Sequence, residues 1–193
     1  MPNYAAQSER LWLQKLTIED HLMGYHALST DKNILRWSSR APPSDLEGTK
    51  TLLLSRTASD EQPWMEMYAI ALRPSGTEPA TFVGAMGILR ISEDGEAGEI
   101  GYGVLPEYWG KGYAPEALKL LVDHYWKSER RVQKEKLSAG TEPENLPSQR
   151  VLEKAGFKKK EVIEKAFEAP NPETGEMEWR SAIIWEVERP KHA

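Results

Sequence analysis

Gly110 and Gly112 stand between a strand pattern and a helix pattern, with Lys111 and Tyr113 beside them. On the strand side, Ile100 to Leu105 mixes aromatic and β-branched residues with small ones, and Pro106 stops it. On the helix side, Ala117, Leu118, Leu121, Val122 and Tyr125 fall on one face at helical spacing. Pro115 suits the first turn, and Lys127, Arg130 and Arg131 gather at the C-terminal end, where cations are favoured. Two positions without side chains let a ligand approach the backbone closely. The unpaired amides of the first helical turn and the positive end of its dipole then offer several N–H donors to an anion. The chemistry this predicts is a backbone cradle for a pyrophosphate. The same pair of glycines also occurs in plain tight connections that bind nothing.

Two familiar phosphate-binding patterns are absent: Gly-x-x-x-x-Gly-Lys-Ser/Thr, and Gly-x-Gly-x-x-Gly followed by an acid on a second strand. The turn instead resembles that of the GNAT acyltransferases. Their Gln/Arg-x-x-Gly-x-Gly/Ala signature is met by Gly112 and Ala114, with Trp109 standing where the signature has Gln or Arg. Downstream, Asn145, Ser148, Gly156 and Phe157 are similar to the family's Asn-x-x-Ala/Ser and Gly-Phe segment in order and spacing. Upstream, residues 9–20 resemble the first strand and turn of the branch that includes ribosomal-protein N-terminal acetyltransferases and small-amine acetyltransferases. The likeness spans nearly the whole chain, and its two central motifs are specific for the superfamily, not for a substrate.

The resemblance implies a GNAT fold: an α/β architecture with a mixed central sheet of about seven strands, helices on both faces, and a splay around the cofactor cleft. It implies acetyl-CoA as co-substrate and no metal. Backbone groups of Val104 and Leu105 and of the strand near Leu137 would bond the pantetheine arm, residues 109–114 the pyrophosphate, and Asn145 the cofactor arm. Attack by an amine on the thioester requires a neutral amine, oxyanion stabilisation and a proton for the thiolate. Glu99 is the expected base, although it equally reads as an exposed strand residue or an ion-pair partner; Glu66 and Glu93 are weaker alternatives, and Glu107 reads as structural. Many relatives carry a tyrosine where this chain has Leu152, so Ser148 is the expected donor to the thiolate, against a plain first-turn hydroxyl. Trp37 falls in the segment from which the family builds part of its acceptor site, where its ring could hold a cationic amine; packing of the loop against the sheet is the alternative. The activity implied is N-acetylation of a protein N-terminus, a lysine or a small amine; a non-catalytic CoA-binding regulatory module is the rival, and a plain αβ interaction domain a third reading.

The elements that must position these residues read as an α/β series. Leu11 to Leu16 alternates as a strand. Ile18 to Leu28 and Leu46 to Arg56 read as helices, and Trp64 to Leu72 and Thr81 to Ile91 as strands. After the cradle helix come a strand over 136–140, a helix over 147–155, and two strands over 160–168 and 179–187. The turn-rich stretches 73–79 and 171–175 read as exposed loops.

The chain has 193 residues, 39% of them hydrophobic, which suits one domain spanning residues 1–193. There is no cysteine, hence no disulfide and no thiolate nucleophile, and His21, His26, His124 and His192 show no metal-ligand spacing. No apolar run approaches a bilayer span, and the polar N-terminus resembles no signal peptide, so a cytoplasmic protein without membrane attachment is expected. Thirty acids against 25 Lys and Arg, net −5, give no support for nucleic-acid binding and are compatible with a cationic amine. Lys158, Lys159 and Lys160 read as a solvated strand end, or as a contact to a cofactor phosphate. A homodimer is compatible with all of this.

Overall fold

In the computed structural model, residues 4–75, 79–171 and 174–191 are described. Parts of the two expected loops, at 76–78 and 172–173, lie outside the described residues, as does His192. The strands are β1 (Ala6–Gln7), β2 (Leu11–Lys15), β3 (Glu66–Leu72), β4 (Thr81–Ile91), β5 (Ala97–Val104), β6 (Lys136–Thr141), β7 (Lys158–Pro170) and β8 (Met177–Glu188). The helices are α1 (Ile18–Thr30), α2 (Lys32–Leu35), α3 (Leu46–Leu54), α4 (Tyr113–Lys127) and α5 (Leu146–Lys154). Where about seven strands were expected there are eight, because β1 adds a two-residue edge to β2. The short helix α2 was also unforeseen, though Asp31 announces it by accepting hydrogen bonds from the amides of Asn33 (2.9 Å) and Ile34 (3.2 Å).

The sheet order is β1-β2-β3-β4-β5-β6-β8-β7. All neighbours are antiparallel except β5 and β6, which α4 joins as a crossover. That parallel pair is short: Ala97, Gly98 and Glu99 lie opposite Lys136, Leu137 and Ser138, and no pairing follows. Beyond it β5 stays with β4 as far as Val104, and β6 stays with β8 as far as Thr141. The sheet therefore opens into a V.

Alternation along the strands supplies both faces with apolar side chains. On one face Leu13, Ile70, Met86, Ile100 and Val104 meet Leu118, Leu121 and Leu152 of α4 and α5. On the other, Met67, Ala69 and Ala85 meet Tyr25, Leu28 and Leu53 of α1 and α3. The apolar stripe of α4 is buried as its spacing predicts.

The C-terminal end of α4 is tied to β3 by a polar cluster. Arg130 donates to Glu66 at 2.7 Å and lies 4.6 Å from the Tyr125 ring centre, while the Tyr68 hydroxyl bonds Glu66 and, at 3.0 Å, Nε2 of His124. Burial, with the nearby charge of Arg130, holds His124 below the ordinary histidine value of 6.5. Burial does the same to His21, whose Nδ1 accepts the Thr17 amide at 3.2 Å. Both rings are neutral in the fold, so the unfolded chain binds more protons between the folded values and 6.5. Their contribution to stability is complete above that pH and is lost as pH falls through the folded values. Denaturant unfolding measured from pH 8 to pH 5 should be flat at the alkaline end and weaken below about 6.5, the unperturbed histidine value. In His124→Gln the slope should be shallower; an unchanged slope would remove His124 from this account.

Candidate active site

The connection from β5 to α4 begins with a 3-10 turn at Pro106–Tyr108. The Trp109 indole then folds back so that Nε1 donates to the Val104 carbonyl at 2.6 Å, pinning the loop to the end of the strand. Gly110 and Gly112 have φ of +74° and +79°, a region that disfavours any side chain. Gly112 is the N-cap of α4, and the first i→i−4 bond of the helix runs from Glu116 N–H to the Gly112 carbonyl at 3.4 Å. The amides of Tyr113 and Ala114 precede that bond and are open to a ligand.

The outside of the loop is held by residues from the opposite end of the chain. Arg10 Nη1 donates to the Lys111 carbonyl (3.1 Å), Nε and Nη2 bond Glu116 Oε2 (2.8 and 2.5 Å), and the guanidinium lies 4.8 Å from the Tyr113 ring centre. Ser8 donates to the other oxygen of Glu116 at 2.6 Å. Burial opposes ionisation of Glu116, but the bonds from Ser8 and Arg10 outweigh it and keep the carboxyl below its ordinary range. The buttress is thus close to neutral, and the positive end of α4 is left for a ligand.

A cleft of about 760 Å³ runs from this loop through the opening of the V. Of the residues expected to form a site, Val104, Trp109, Gly110, Gly112, Tyr113, Ala114, Asn145, Ser148 and Trp37 line it. Three do not. Leu105 is buried in the core beneath α1 and α3, and its amide is spent on the Val83 carbonyl at 2.9 Å. Lys111 points away, with Nζ 5.3 Å from the Tyr108 ring centre. Glu99 is captured by Arg90 on the adjacent strand through two bonds, at 2.7 and 2.5 Å. The two alternatives fare no better as bases: Glu66 belongs to the Arg130 cluster and Glu93 is exposed off the cleft, as is Glu107, which was read as structural. Among the described residues that line the cleft there is no Asp or Glu.

Other expectations are refined. The Asn145 side-chain oxygen caps α5 by accepting the Ser148 amide at 3.1 Å, which leaves its Nδ2 for a ligand. One face of the Trp37 ring is already covered by a cation, with Arg36 5.0 Å from its centre. Lys158, Lys159 and Lys160 are exposed at the start of β7 and off the cleft, Lys160 pairing with Glu186 at 2.7 Å. The basic side chains that line the cleft on α5 are Arg150 and Lys154, one turn apart and without an ion pair among the described residues.

Tyr102 had no place in the sequence-based site. It projects from β5 so that its hydroxyl lies 2.5 Å from Ser148 Oγ and 3.1 Å from the Ser148 carbonyl. Burial pushes its hydroxyl up to about 12 against the opposing bond to Ser148, so it is protonated at neutral pH. Alternation could have found it, since Ile100, Tyr102 and Val104 share one face of β5. Gly101 and Gly103 on the other face leave room within the cleft.

The acetyltransferase (GNAT) domain family matches residues 10–158. An uncharacterized N-acetyltransferase, p20, of Bacillus licheniformis is 26% identical over 158 residues, covering 81% of this chain and 83% of that one. Among solved structures, a ribosomal L7/L12 alpha-N-protein acetyltransferase in complex with coenzyme A superimposes with a TM-score of 0.76 at 18% identity, over 94% of this chain and 96% of that chain. A ribosomal-protein-S5-alanine acetyltransferase from Vibrio fischeri does so with 0.75 at 19% identity, over 97% of each. At such identities the structural likenesses speak for the fold, while the family match covers most of the chain. The glycine loop at the head of α4, the V between β5 and β6 and the order of the sheet therefore belong to a member of the GNAT N-acetyltransferase family.

Proposed function

We propose that the chain, as one domain, is an acetyl-CoA-dependent N-acetyltransferase that moves an acetyl group directly to a primary amine, and that it works in the cytoplasm. The observation that carries this reading is the continuity of the open α4 amides, the split strands and the Tyr102–Ser148 pair along one cleft. The fit is chemical: the loop offers N–H donors to phosphate oxygens, Arg150 and Lys154 add unpaired positive charge, and unpaired strand edge in the V can bond an extended arm. Acetyl-CoA supplies the activated acetyl group as a thioester.

With no cysteine in the sequence, transfer is direct. The N–C bond forms as the C–S bond breaks, one amine proton leaves to water, and one proton reaches the thiolate sulfur. Glu99 is given no step in this proposal, because both its oxygens are held by Arg90 and it does not line the cleft. Ser148 Oγ donates toward the sulfur, and Tyr102, whose hydroxyl lies 2.5 Å from that oxygen and 3.1 Å from the Ser148 carbonyl, positions it. Holding the reactants together in the V supplies much of the rate. The absence of a carboxylate lining the cleft also favours a second reading, a regulatory module that binds CoA without turnover; acetyl-CoA binding with no transfer over a broad amine panel would establish it.

Calorimetric titration with acetyl-CoA should show saturable binding, and Gly112→Glu should abolish it; no binding to the wild type would end both readings. Once an acceptor is found, Ser148→Ala should lower kcat about tenfold, less than a full general-acid effect because a thiolate leaves readily. The KM for acetyl-CoA should stay nearly unchanged. Tyr102→Phe should lower kcat less and leave acetyl-CoA affinity intact, whereas a rise in KM alone would reduce the pair to a structural contact.

A further inference from the structure

Arg56, just after α3, is 9% exposed and lines the cleft, yet its Nε is buried without a hydrogen-bond partner and its guanidinium makes no ion pair among the described residues. The fold's other buried arginine side chains have carboxylate partners, although Nη2 of Arg130 is also left without a hydrogen bond among the described residues. Arg180 is paired with Glu142 (3.0 Å) and Glu178 (3.1 Å), and Arg130 with Glu66 (2.7 Å). A guanidinium cannot escape burial by losing its proton, so a largely buried one without a counter-charge is a standing cost to the folded state. Arg40, exposed and also without an ion pair, lines the same α1–α3 wall, as do Tyr25 and Leu52. Its charge acts on the Tyr25 hydroxyl, where it partly opposes the upward push of burial. No acidic side chain among those lining the cleft neutralises this wall.

We propose that the acceptor is a small amine that itself carries an anionic group, a carboxylate or a phosphate, which docks on the buried guanidinium of Arg56 with Arg40 assisting from the exposed side. The proposal rests on the N-acetyltransferase reading above and names its substrate class. The planar fork of an arginine matches the paired oxygens of either anion. The same positive wall disfavours an ammonium ion, so it holds the incoming amine in the neutral form that attack requires.

Initial rates of the full chain with acetyl-CoA should be compared for matched pairs: β-alanine against β-alaninamide, and O-phosphoethanolamine against ethanolamine. In at least one pair the anionic member should be favoured in kcat/KM by about tenfold or more; the pair that responds separates carboxylate from phosphate. Arg56→Gln should bring that ratio close to one without altering acetyl-CoA affinity, and Arg40→Gln, at an exposed position that cannot be blamed on misfolding, should lower it by a smaller factor. Because an unpaired buried charge is removed, Arg56→Gln should also raise the Tm of the ligand-free protein. Neutral members accepted as well as anionic ones, a ratio unmoved in either variant, a lowered Tm, or acetyl-CoA binding with no transfer to any member would overturn the proposal. That last result would leave cofactor binding standing, whereas failure to bind acetyl-CoA would strike the underlying reading itself.

Discussion

The parting of β5 and β6 after Glu99 and Ser138 is the constraint from which the rest of the architecture follows. Each strand has a second, longer obligation: β5 to β4 through Val104, β6 to β8 through Thr141. The twist of two sheet halves held so firmly on their outer sides can be relieved at the short parallel seam. Opening it forfeits ladder hydrogen bonds on facing edges, a loss that stands unless something else satisfies those groups. A crossover helix leaving the end of β5 must begin at the wide end of the V. The amide-rich start of α4 thus comes to the mouth of the cleft for topological reasons, before any ligand is considered.

Charge is distributed against the average. The chain as a whole is acidic at −5, an average that is compatible with a cationic substrate. The cleft is lined instead by Arg40, Arg56, Arg150 and Lys154. The acids that might have balanced them are engaged elsewhere: Glu99 with Arg90, Glu66 with Arg130, and Glu116 with Arg10. These pairs fix a hairpin, a helix end and a loop, and in doing so they leave the cavity with one sign of charge. Mean composition bears on solubility and non-specific contacts, not on the potential inside one cleft.

Most of the frame was readable from local pattern, because period and punctuation are local. The stripe of α4, the full extent of β4 and the left-handed glycines follow from residues within a few positions of one another. What the sequence hid are partnerships across distance. Arg10 and Glu116 are 106 residues apart, and Tyr102 and Ser148 are 46 apart. Nothing in spacing joins such pairs. Glu99 lies between these cases: only 9 residues separate it from Arg90, but a register shift between Ile88 and Arg90 decides that the two stand opposite. A one-residue shift of this kind redirects a side chain, and it turned an expected base into half of an ion pair.

A cleft without a carboxylate is coherent for direct transfer. An acid beside the acceptor would stabilise the ammonium form, and the proton it held would have to be removed before attack. A positive wall shifts that balance toward the neutral amine, and water at an open cleft can accept the proton released as the new bond forms. In the proposed reaction the demand for a proton then falls on the departing sulfur, a role suited to Tyr102 and Ser148, which are hydrogen-bonded to each other, with burial keeping the tyrosine protonated. Acid–base assistance in that reaction is concentrated on the leaving group, while the attacking group is governed by electrostatics; the Arg90–Glu99 pair and the unpaired Arg56, both on the α1–α3 side of the sheet, are what make that division workable.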